Sequence, residues 1–411
     1  MSIIRPFQGI RPRQDLASSI AALPYDVYNS EEARRIVRAN PLSFLKIDRA
    51  ETLLPEDTDV YSPEVYRTAR NTLDAMIEDG SFLQDATACY YIYALTMNGR
   101  TQTGLVGCAS IDDYVNGVIL KHENTLEAKE QDRICHVDAC SAQTGPIFLA
   151  YRPSRTIRDL LEEVRQTSTL YDFTSDDGIR HQVWKIADRA YIDKISHLFA
   201  KIPHLYIADG HHRAASAVKV GLKRRAEDAG FSGKEEYNYF LSVLFSADEL
   251  HIYDYNRVVI DRNGCTFEKF LDKIEDRFQI EKLGAQACHP AKKGEFGMYS
   301  GGVWYRLRAG QKLFAGDPVR DLDVSVLQDQ ILAPVFGIQD PKTDSRIRFI
   351  GGIRGLGALE EAADSSGGIA FSMYPTSMEE LLAVADAGRL MPPKSTWFEP
   401  KLRSGLFIHR F

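Results

Sequence analysis

Cysteine is scarce in this sequence, and the few cysteines are not arranged to cross-link a fold. Six cysteines are scattered over 411 residues, which is typical of free thiols rather than of a disulfide framework. Cys135 and His136, together with Cys140, resemble half of a zinc site, but no second Cys/His pair at zinc spacing accompanies them. The sequence therefore excludes a disulfide scaffold and gives a zinc site little support.

Long apolar runs are also missing. No window approaches the ~20 apolar residues that a membrane helix needs, and the first eight residues lack the basic and apolar parts of a signal peptide. The net charge is small, with 50 Lys and Arg against 57 Asp and Glu, and no long basic run occurs. We therefore expect a cytoplasmic protein with no membrane partner and no nucleic-acid partner, while the oligomeric state stays open.

A Walker A phosphate-binding sequence is absent as well, which argues against an ordinary P-loop kinase. Hydrophobic residues make up 44% of the chain and charged residues 26%, which are typical values for a folded domain. Strand and helix patterns follow one another along the chain, with a strand predicted at 43–47, a helix at 63–79 and a hairpin around Asn98-Gly99. This order predicts a mixed α/β fold.

The composition of the chain shifts near Asn263-Gly264, although nothing there is typical of a flexible linker. We therefore predict two domains. The first is an N-terminal α/β domain, 1–262, and the second is a C-terminal α/β portion, 263–411, packed on the first.

The densest polar cluster is Asp-Gly-His-His-Arg, Asp209–Arg213. It lies between a short apolar run, Leu205–Ala208, which predicts a buried strand, and a helical pattern that begins at Ala214. Asp209 is predicted to cap the helix and Gly210 to form the turn into it. Because the free N–H groups at a helix start favour anions, this junction has the outline of a phosphate site.

The side chains of the cluster suit the same ligand. Arg213 can bind two phosphate oxygens at once, and His211 and His212 can donate hydrogen bonds or move protons near neutral pH. The alternative is that Asp209 only caps the helix while the histidines pack or face water. The combination of these residue types at a strand-to-helix turn favours a functional site.

A second polar cluster follows the predicted strand 117–120. Lys121, His122 and Glu123 stand at the strand exit, where α/β proteins bind ligands. Beyond them, a helical face is predicted to carry one hydroxyl, one amine, one carboxylate and one guanidinium, from Thr125, Lys129, Asp132 and Arg133. A solvated helix with internal ion pairs would explain this face, but it explains the strand exit less well.

A third group lies in a proline-bounded loop near the end of the sequence. Lys394 stands beside the hydroxyls of Ser395 and Thr396, and Lys401 follows. Such a loop suits phosphate oxygens or a carboxylate, and an ordinary surface loop is an equal alternative.

Motifs spread over nearly the whole chain also carry a resemblance. They are Arg5–Phe7, Pro24–Val27, Asn40-Pro41 with Ser43–Leu45, His122-Glu123 with Thr125, Lys129 and Asp132-Arg133, Pro146–Phe148, Asp209–Arg213, and Lys394–Lys401. As a set they resemble the bacterial family named domain of unknown function 1015. The Asp209–Arg213 element is also similar to that of the free serine kinases, which have a ParB/sulfiredoxin-like core and make O-phosphoserine from serine and ATP or ADP with Mg²⁺.

The resemblance implies a ParB/sulfiredoxin-like core, elaborated by insertions and by the C-terminal α/β portion. It further implies a phosphotransferase that acts on serine or O-phosphoserine with ATP or ADP and Mg²⁺. In that scheme Asp209, His211 and His212 handle the phosphoryl group, with Mg²⁺ near Asp209, and Glu123 takes the serine proton. Phosphate or substrate contacts fall to His122, Thr125, Lys129, Arg133, Arg213, Lys394, Ser395, Thr396 and Lys401.

Two other functions stay open. One is hydrolysis of O-phosphoserine, with a histidine or Glu123 activating water. The other is a regulator that binds nucleotide without turnover, because ParB-like folds also use nucleotide as a switch.

Overall fold

The strands and helices of the chain form a mixed α/β fold, as the sequence predicts, and the computed structural model describes residues 1–411. In chain order the strands are β1 (Ile4–Arg5), β2 (Ile10–Pro12), β3 (Phe82–Gln84), β4 (Tyr90–Met97), β5 (Arg100–Ser110), β6 (Ile119–Leu120), β7 (Ala142–Gln143), β8 (Ile147–Tyr151), β9 (Tyr171–Thr174), β10 (Arg180–Ile186), β11 (Leu205–Asp209), β12 (Tyr239–Ser246), β13 (Ile252–Tyr253), β14 (Tyr255–Val259), β15 (Phe278–Gly284), β16 (Glu295–Ser300), β17 (Val303–Ala309), β18 (Ile347–Gly351), β19 (Ile369–Met373), β20 (Trp397–Phe398) and β21 (His409–Arg410).

The helices complete this inventory. They are α1 (Ala17–Ile20), α2 (Ser30–Ala39), α3 (Leu45–Asp48), α4 (Pro63–Glu78), α5 (Ile111–Val115), α6 (Glu127–Cys140), α7 (Arg155–Arg165), α8 (Arg189–Phe199), α9 (His211–Glu227), α10 (Phe267–Ile274), α11 (Asp323–Leu327), α12 (Ala333–Phe336), α13 (Gly357–Ser366) and α14 (Met378–Asp386). None of them combines the length and the apolar character that crossing a membrane requires.

The strand predicted at 43–47 is wrong, because α3 occupies most of this stretch. Phe44, Leu45 and Ile47 are all fully buried. A helical turn that is buried on every side has the same short apolar run as a buried strand, so the pattern alone cannot separate the two.

The chain divides into two compact units. The first consists of Met1–Leu250 together with Pro400–Phe411, and the second of His251–Glu399. This division differs from the predicted boundary at 262/263. The second unit starts twelve residues earlier than expected, and the closing segment, 400–411, belongs to the first unit.

A nine-stranded sheet forms the centre of the first unit, in the order β6-β11-β8-β12-β5-β4-β10-β9, with β1 on β5. The predicted hairpin is confirmed: β4 pairs with β5 from Tyr91 opposite Val106 to Met97 opposite Arg100. Its turn places Asn98 at φ 51° and Gly99 at φ 77°. Asn and Gly accept this left-handed backbone at low cost, which is why the pair fixes the hairpin.

Most of this sheet is antiparallel, but one edge brings two parallel strands together. β6 and β11 pair in parallel, with Leu205 opposite Ile119 and Tyr206 opposite Leu120. Because parallel neighbours end at the same edge of a sheet, the residues that follow β6 and β11 meet there. The next helices along the chain, α6 and α9, also pack together, and Ser216 in α9 donates its hydroxyl to the carbonyl of Glu130 at 3.0 Å.

The closing segment ties several parts of the first unit together. β21 pairs with β7, and isolated bridges join Ile408 to Ile10 and Ser404 to Ala22. Phe407 and Ile408 are buried in the unit.

The second unit has its own antiparallel six-stranded sheet, in the order β15-β17-β16-β19-β14-β18. Its core includes Val258, Trp304, Leu359 and Ala370, which α13 helps to cover. The short strands β13 and β20 form a separate pair within this unit.

Candidate functional site

The two polar clusters of the first unit converge at the shared edge of β6 and β11. His122 and Glu123 follow β6 after one residue, Lys121, and His211 begins the helix that follows β11. The rings of His122 and His211 meet edge to face, with centroids 4.5 Å apart. The atoms of His122, Glu123 and His211 that could bind a cation all lie within 4.8 Å of one another. The parallel strand pair therefore brings together residues that are far apart in sequence.

His122 and His211 are both buried, and most of their ring nitrogens make no regular hydrogen bond. Only 1% of His122 and 6% of His211 is exposed. Nδ1 and Nε2 of His122 and Nε2 of His211 have no partner in regular hydrogen-bond geometry, although the backbone of Ile207 is close enough to His122 to oppose the lowering of its pKa. Burial lowers the pKa of His122 to about 4. Burial, followed by the neighbouring His122, lowers the pKa of His211 as well. Both imidazoles are therefore neutral at pH 7.

Asp209 does not cap α9, so the predicted N-cap is wrong. It is the last residue of β11, and the cap position belongs to Gly210 at φ 91°, with no side chain capping the helix start. The two Asp209 oxygens accept from the backbone N–H of Gly210 at 2.7 Å and from Nζ of Lys401 at 2.8 Å. Burial raises the pKa of Asp209, but the charges of Lys401 and Arg213 lower this pKa by more than burial raises it, so the carboxylate stays charged.

Arg213 folds back over the helix start. Its Nη1 donates to the carbonyl of Pro146 at 2.6 Å, and a Cβ on Gly210 would lie 3.0 Å from its Nη2. Arg213 also lines a small cavity of about 30 Å³ together with Tyr25 and Arg133. Its positive charge thus stands beside the uncapped helix start, where an anion is favoured.

The loop that leads into α6 is held by two of the predicted site residues. His212 accepts the backbone N–H of Leu126 on Nε2 at 2.9 Å, and Thr125 donates its hydroxyl to Oε2 of Glu130 at 2.5 Å. Thr125 was expected on a helical face, but α6 begins at Glu127 and Leu126 is extended, so that expectation is wrong. Thr125 holds the loop to the first turns of α6, and His212 joins the loop to α9.

Lys129 and Arg133, in contrast, do lie on α6, where the sequence predicts them. Arg133 is 7% exposed, pairs with Asp132 at 2.7 Å, and its guanidinium carbon lies 4.1 Å from the ring centroid of Tyr25. Lys129 and Arg133 line a second pocket of about 250 Å³. This pocket and the one beside Arg213 share four lining residues, Tyr25, Asp48, Arg133 and His136.

Asp48 is a residue of these pockets that the sequence did not single out, and the sequence marked His136 only as part of half a zinc site with Cys135 and Cys140. Asp48 accepts the hydroxyl of Thr144 at 2.7 Å, and Nε2 of His136 lies 3.0 Å from the carbonyl oxygen of Ile47. Asp48 directly follows a buried apolar run, the same signal that marked Asp209.

The predicted loop residues Lys394, Ser395 and Thr396 lie in the second unit, whereas Lys401 lies in the first. Lys394 has a left-handed backbone, φ 59°, and its Nζ is 5.5 Å from the ring centroid of Tyr255. Ser395 donates its hydroxyl to the carbonyl of Pro392 at 2.6 Å. Phosphate binding by these three residues stays a prediction.

Gly210→Ala is expected to weaken anion binding as well as stability. A side chain at φ 91° destabilises the fold by about 1–2 kcal/mol, and its Cβ would press on Arg213 at 3.0 and 3.1 Å. Displacing this guanidinium should weaken the binding of inorganic phosphate roughly tenfold. Calorimetric titration with phosphate and urea unfolding measure the two effects.

Gly117→Ala is the matched control for this substitution. Gly117 has φ 71°, but nothing lies within 4 Å of an added Cβ. The control should lose a similar amount of stability and keep its phosphate affinity. Equal phosphate affinities of the two variants would contradict a role for Arg213 in binding the anion.

These features define a mixed α/β protein with a polar, cation-lined site at the ends of two parallel strands. A family model described as "Protein of unknown function (DUF1015)" matches residues 4–325. The chain belongs to this family, as its motifs predict. Among curated proteins no relative matches the chain.

Solved structures of low sequence identity also match. A conserved hypothetical protein from Pyrococcus furiosus is 14% identical, with 72% of this chain and 92% of that chain covered and a TM-score of 0.35. A free serine kinase in complex with AMP is 15% identical, with coverage of 77% and 92% and a TM-score of 0.36. SbnI with a C-terminal truncation, from Staphylococcus aureus, is 12% identical, with coverage of 74% and 87% and a TM-score of 0.37. At this similarity the matches assign no residue role.

Proposed function

We propose that this protein is a phosphotransferase that acts on free serine or O-phosphoserine, with a nucleotide, ATP or ADP, as the other substrate. The observation that carries the proposal is the cluster of His122, Glu123 and His211, whose ligand atoms lie within 4.8 Å of one another, beside the uncapped start of α9. Transfer to a hydroxyl needs a base and a place for phosphate, and this edge supplies both. The choice of serine follows from the resemblance of Asp209–Arg213 to the element of free serine kinases.

Each group has a role that follows from its surroundings. Glu123 takes the proton of the serine hydroxyl as its oxygen attacks the terminal phosphorus of ATP or ADP, and ADP or AMP leaves with the bridging oxygen. The N–H groups at the start of α9 and the guanidinium of Arg213 hold phosphate oxygens. His211, neutral because it is buried, donates a hydrogen bond to the transferred group. The larger adjoining pocket, lined by Tyr25 and Arg133, receives the rest of the substrates.

Asp209 and Lys401 act as a pair in this scheme. The charged carboxylate holds Nζ of Lys401 at 2.8 Å, which keeps a cation beside the phosphate position. Mg²⁺, which the motif resemblance implies, prefers oxygen ligands. Both oxygens of Asp209 already accept hydrogen bonds, and two of the three groups in the adjoining cluster, His122 and His211, are imidazoles, so the donor set does not fit Mg²⁺ bound by the protein. Asp209 therefore serves the site by holding Lys401.

Phosphorus NMR of the purified protein tests the proposal. The protein is incubated with Mg²⁺ and O-phosphoserine, in parallel with AMP, with ADP and without nucleotide. We expect the phosphoryl group to appear on the nucleotide only when nucleotide is present, and Asp209→Ala to remove this transfer because it releases Lys401.

The other outcomes point to the functions that the sequence leaves open. Inorganic phosphate released without nucleotide would make the protein a phosphoserine phosphatase. Phosphoserine that stays intact in every tube, together with calorimetric binding of nucleotide, would make it a nucleotide-binding regulator. Either result would overturn the proposed transfer.

A further inference from the structure

The geometry points to a binding site for one divalent transition-metal ion of the Zn²⁺ class, formed by His122, Glu123 and His211. Their three ligand atoms lie within 4.8 Å of one another. Two of these side chains come from the exit of β6 and the third from the start of α9, so the folded sheet edge assembles the site. Metal binding is measured without turnover, so its test is separate from that of the proposed function. Because a bound ion would occupy the carboxylate of Glu123, proton removal by Glu123 belongs to the metal-free site.

The buried imidazoles supply a second observation. His122 is 1% exposed and His211 6% exposed, and three of their four ring nitrogens have no partner in regular hydrogen-bond geometry. A buried polar atom without a partner costs about 1–3 kcal/mol, and such atoms in native proteins point to a water molecule or an ion. An ion bound by one nitrogen of each ring would give these atoms a partner and remove a large part of this free-energy cost.

The spacing of the groups fits a metal with short bonds after a small movement. Zn²⁺ bonds to imidazole nitrogen and carboxylate oxygen are about 2.0–2.2 Å long and arranged tetrahedrally, so two ligand atoms of one ion are about 3.4 Å apart. The ligand atoms of the cluster lie within 4.8 Å of one another. Side-chain rotations that move the ligand atoms by less than about 1 Å would therefore close the site.

The ligand types decide the class of ion. Mg²⁺ and Ca²⁺ take oxygen ligands, whereas imidazole suits Zn²⁺ and its neighbours in the transition series. Two histidines and one glutamate are also the ligands of open zinc sites, in which the fourth position holds water or a substrate. Arg213, Lys401 and His211 all act on Asp209, so positive charge stands close to this edge and favours an anionic fourth ligand.

The experiment uses the full chain after treatment with a chelator. It is titrated with Co²⁺, whose visible absorption bands report low coordination number, and then with Zn²⁺ in competition. We expect one Co²⁺ per chain, displaced by one Zn²⁺ and not displaced by millimolar Mg²⁺. His122→Gln and His211→Gln should each weaken binding by more than about 100-fold, beyond the ~10–100-fold effects typical of residues behind the ligands.

Two matched controls separate this site from adventitious binding. His204→Gln removes an exposed histidine and Cys135→Ser a partly exposed thiol, and both should keep full affinity. Glu123→Gln changes a ligand at a less buried position than His122, so the folding of this variant is easier to preserve. Circular dichroism checks that each variant is folded. Absence of stoichiometric binding, loss of binding in a control, or displacement of Co²⁺ by Mg²⁺ would overturn the assignment.

Discussion

Glu123→Gln is expected to lower the rate of phosphoryl transfer by roughly 10²–10⁴-fold, the range that a general base contributes. The amide keeps the shape of the side chain but cannot take the proton of the serine hydroxyl. Nucleotide affinity should change little, because Arg213 and the start of α9 hold the phosphate groups. Rates followed by phosphorus NMR, with nucleotide affinity from calorimetry, measure the two quantities separately.

Glu127→Gln is the matched control for this variant. Glu127 is an exposed residue in the first turn of α6, and the same chemical change there should leave the rate unchanged. If Glu123→Gln were as active as this control, Glu123 would not be the base. If the transfer rate fell together with nucleotide affinity, the effect would lie in binding rather than in proton transfer.

Acid is expected to destabilise the first unit through His181, by about 3 kcal/mol at pH 4 relative to pH 7. His181 is fully buried in β10, stacked between Phe173 and Tyr93, and its Nδ1 lies 2.8 Å from the Tyr93 hydroxyl. Burial, and then the positive charge of Arg403, lower its pKa to about 3. Between the two pKa values the ring of His181 is therefore neutral in the folded unit but protonated in the unfolded chain.

The sign follows from the proton count. The unfolded histidine, with a pKa near 6.5, binds a proton as the pH falls below that value, whereas the folded one does so only near pH 3. Stability is unaffected above about pH 6.5 and falls between about pH 6.5 and 3, because the unfolded state then binds more protons.

His181→Gln removes this titration while leaving a side chain that can accept from Tyr93. Between pH 7 and pH 4 the free energy of unfolding of the wild type should therefore fall by about 3 kcal/mol more than that of the variant. Urea unfolding followed by pulsed hydrogen exchange of peptides from β4 and β10 reports on the first unit alone. Replacement of the exposed His204 by Gln should keep the wild-type pH dependence. A variant of His181 that did the same would refute the role of that ring.

The sequence predicts local structure where the cause is local. Asn98-Gly99 fixes its hairpin because both residues accept left-handed backbone, and Pro63 starts α4 because proline suits the first turn of a helix. The polar exits after β6 and β11 could be recognised for the same reason, since each is a short buried run followed at once by charged side chains.

The remaining features depend on contacts between distant residues. The pairing of β6 with β11, which brings Glu123 to His211, is set by the whole sheet and not by either strand. The partner of Asp209 is Lys401, which follows it by 192 residues, so nothing near Asp209 indicates that it is an ion-pair acceptor instead of a helix cap. The boundary after Leu250 has no linker composition to mark it.

The return of residues 400–411 to the first unit has a consequence for the order of events during synthesis. β7 is made long before its partner β21, and Asp209 long before Lys401, because the whole second unit comes between them. At ~5–20 residues per second, translation of those ~150 residues takes roughly 8–30 s. During that time the nascent first unit has an unfilled sheet edge and an aspartate without its lysine, so the polar site cannot be completed before the second unit has left the ribosome.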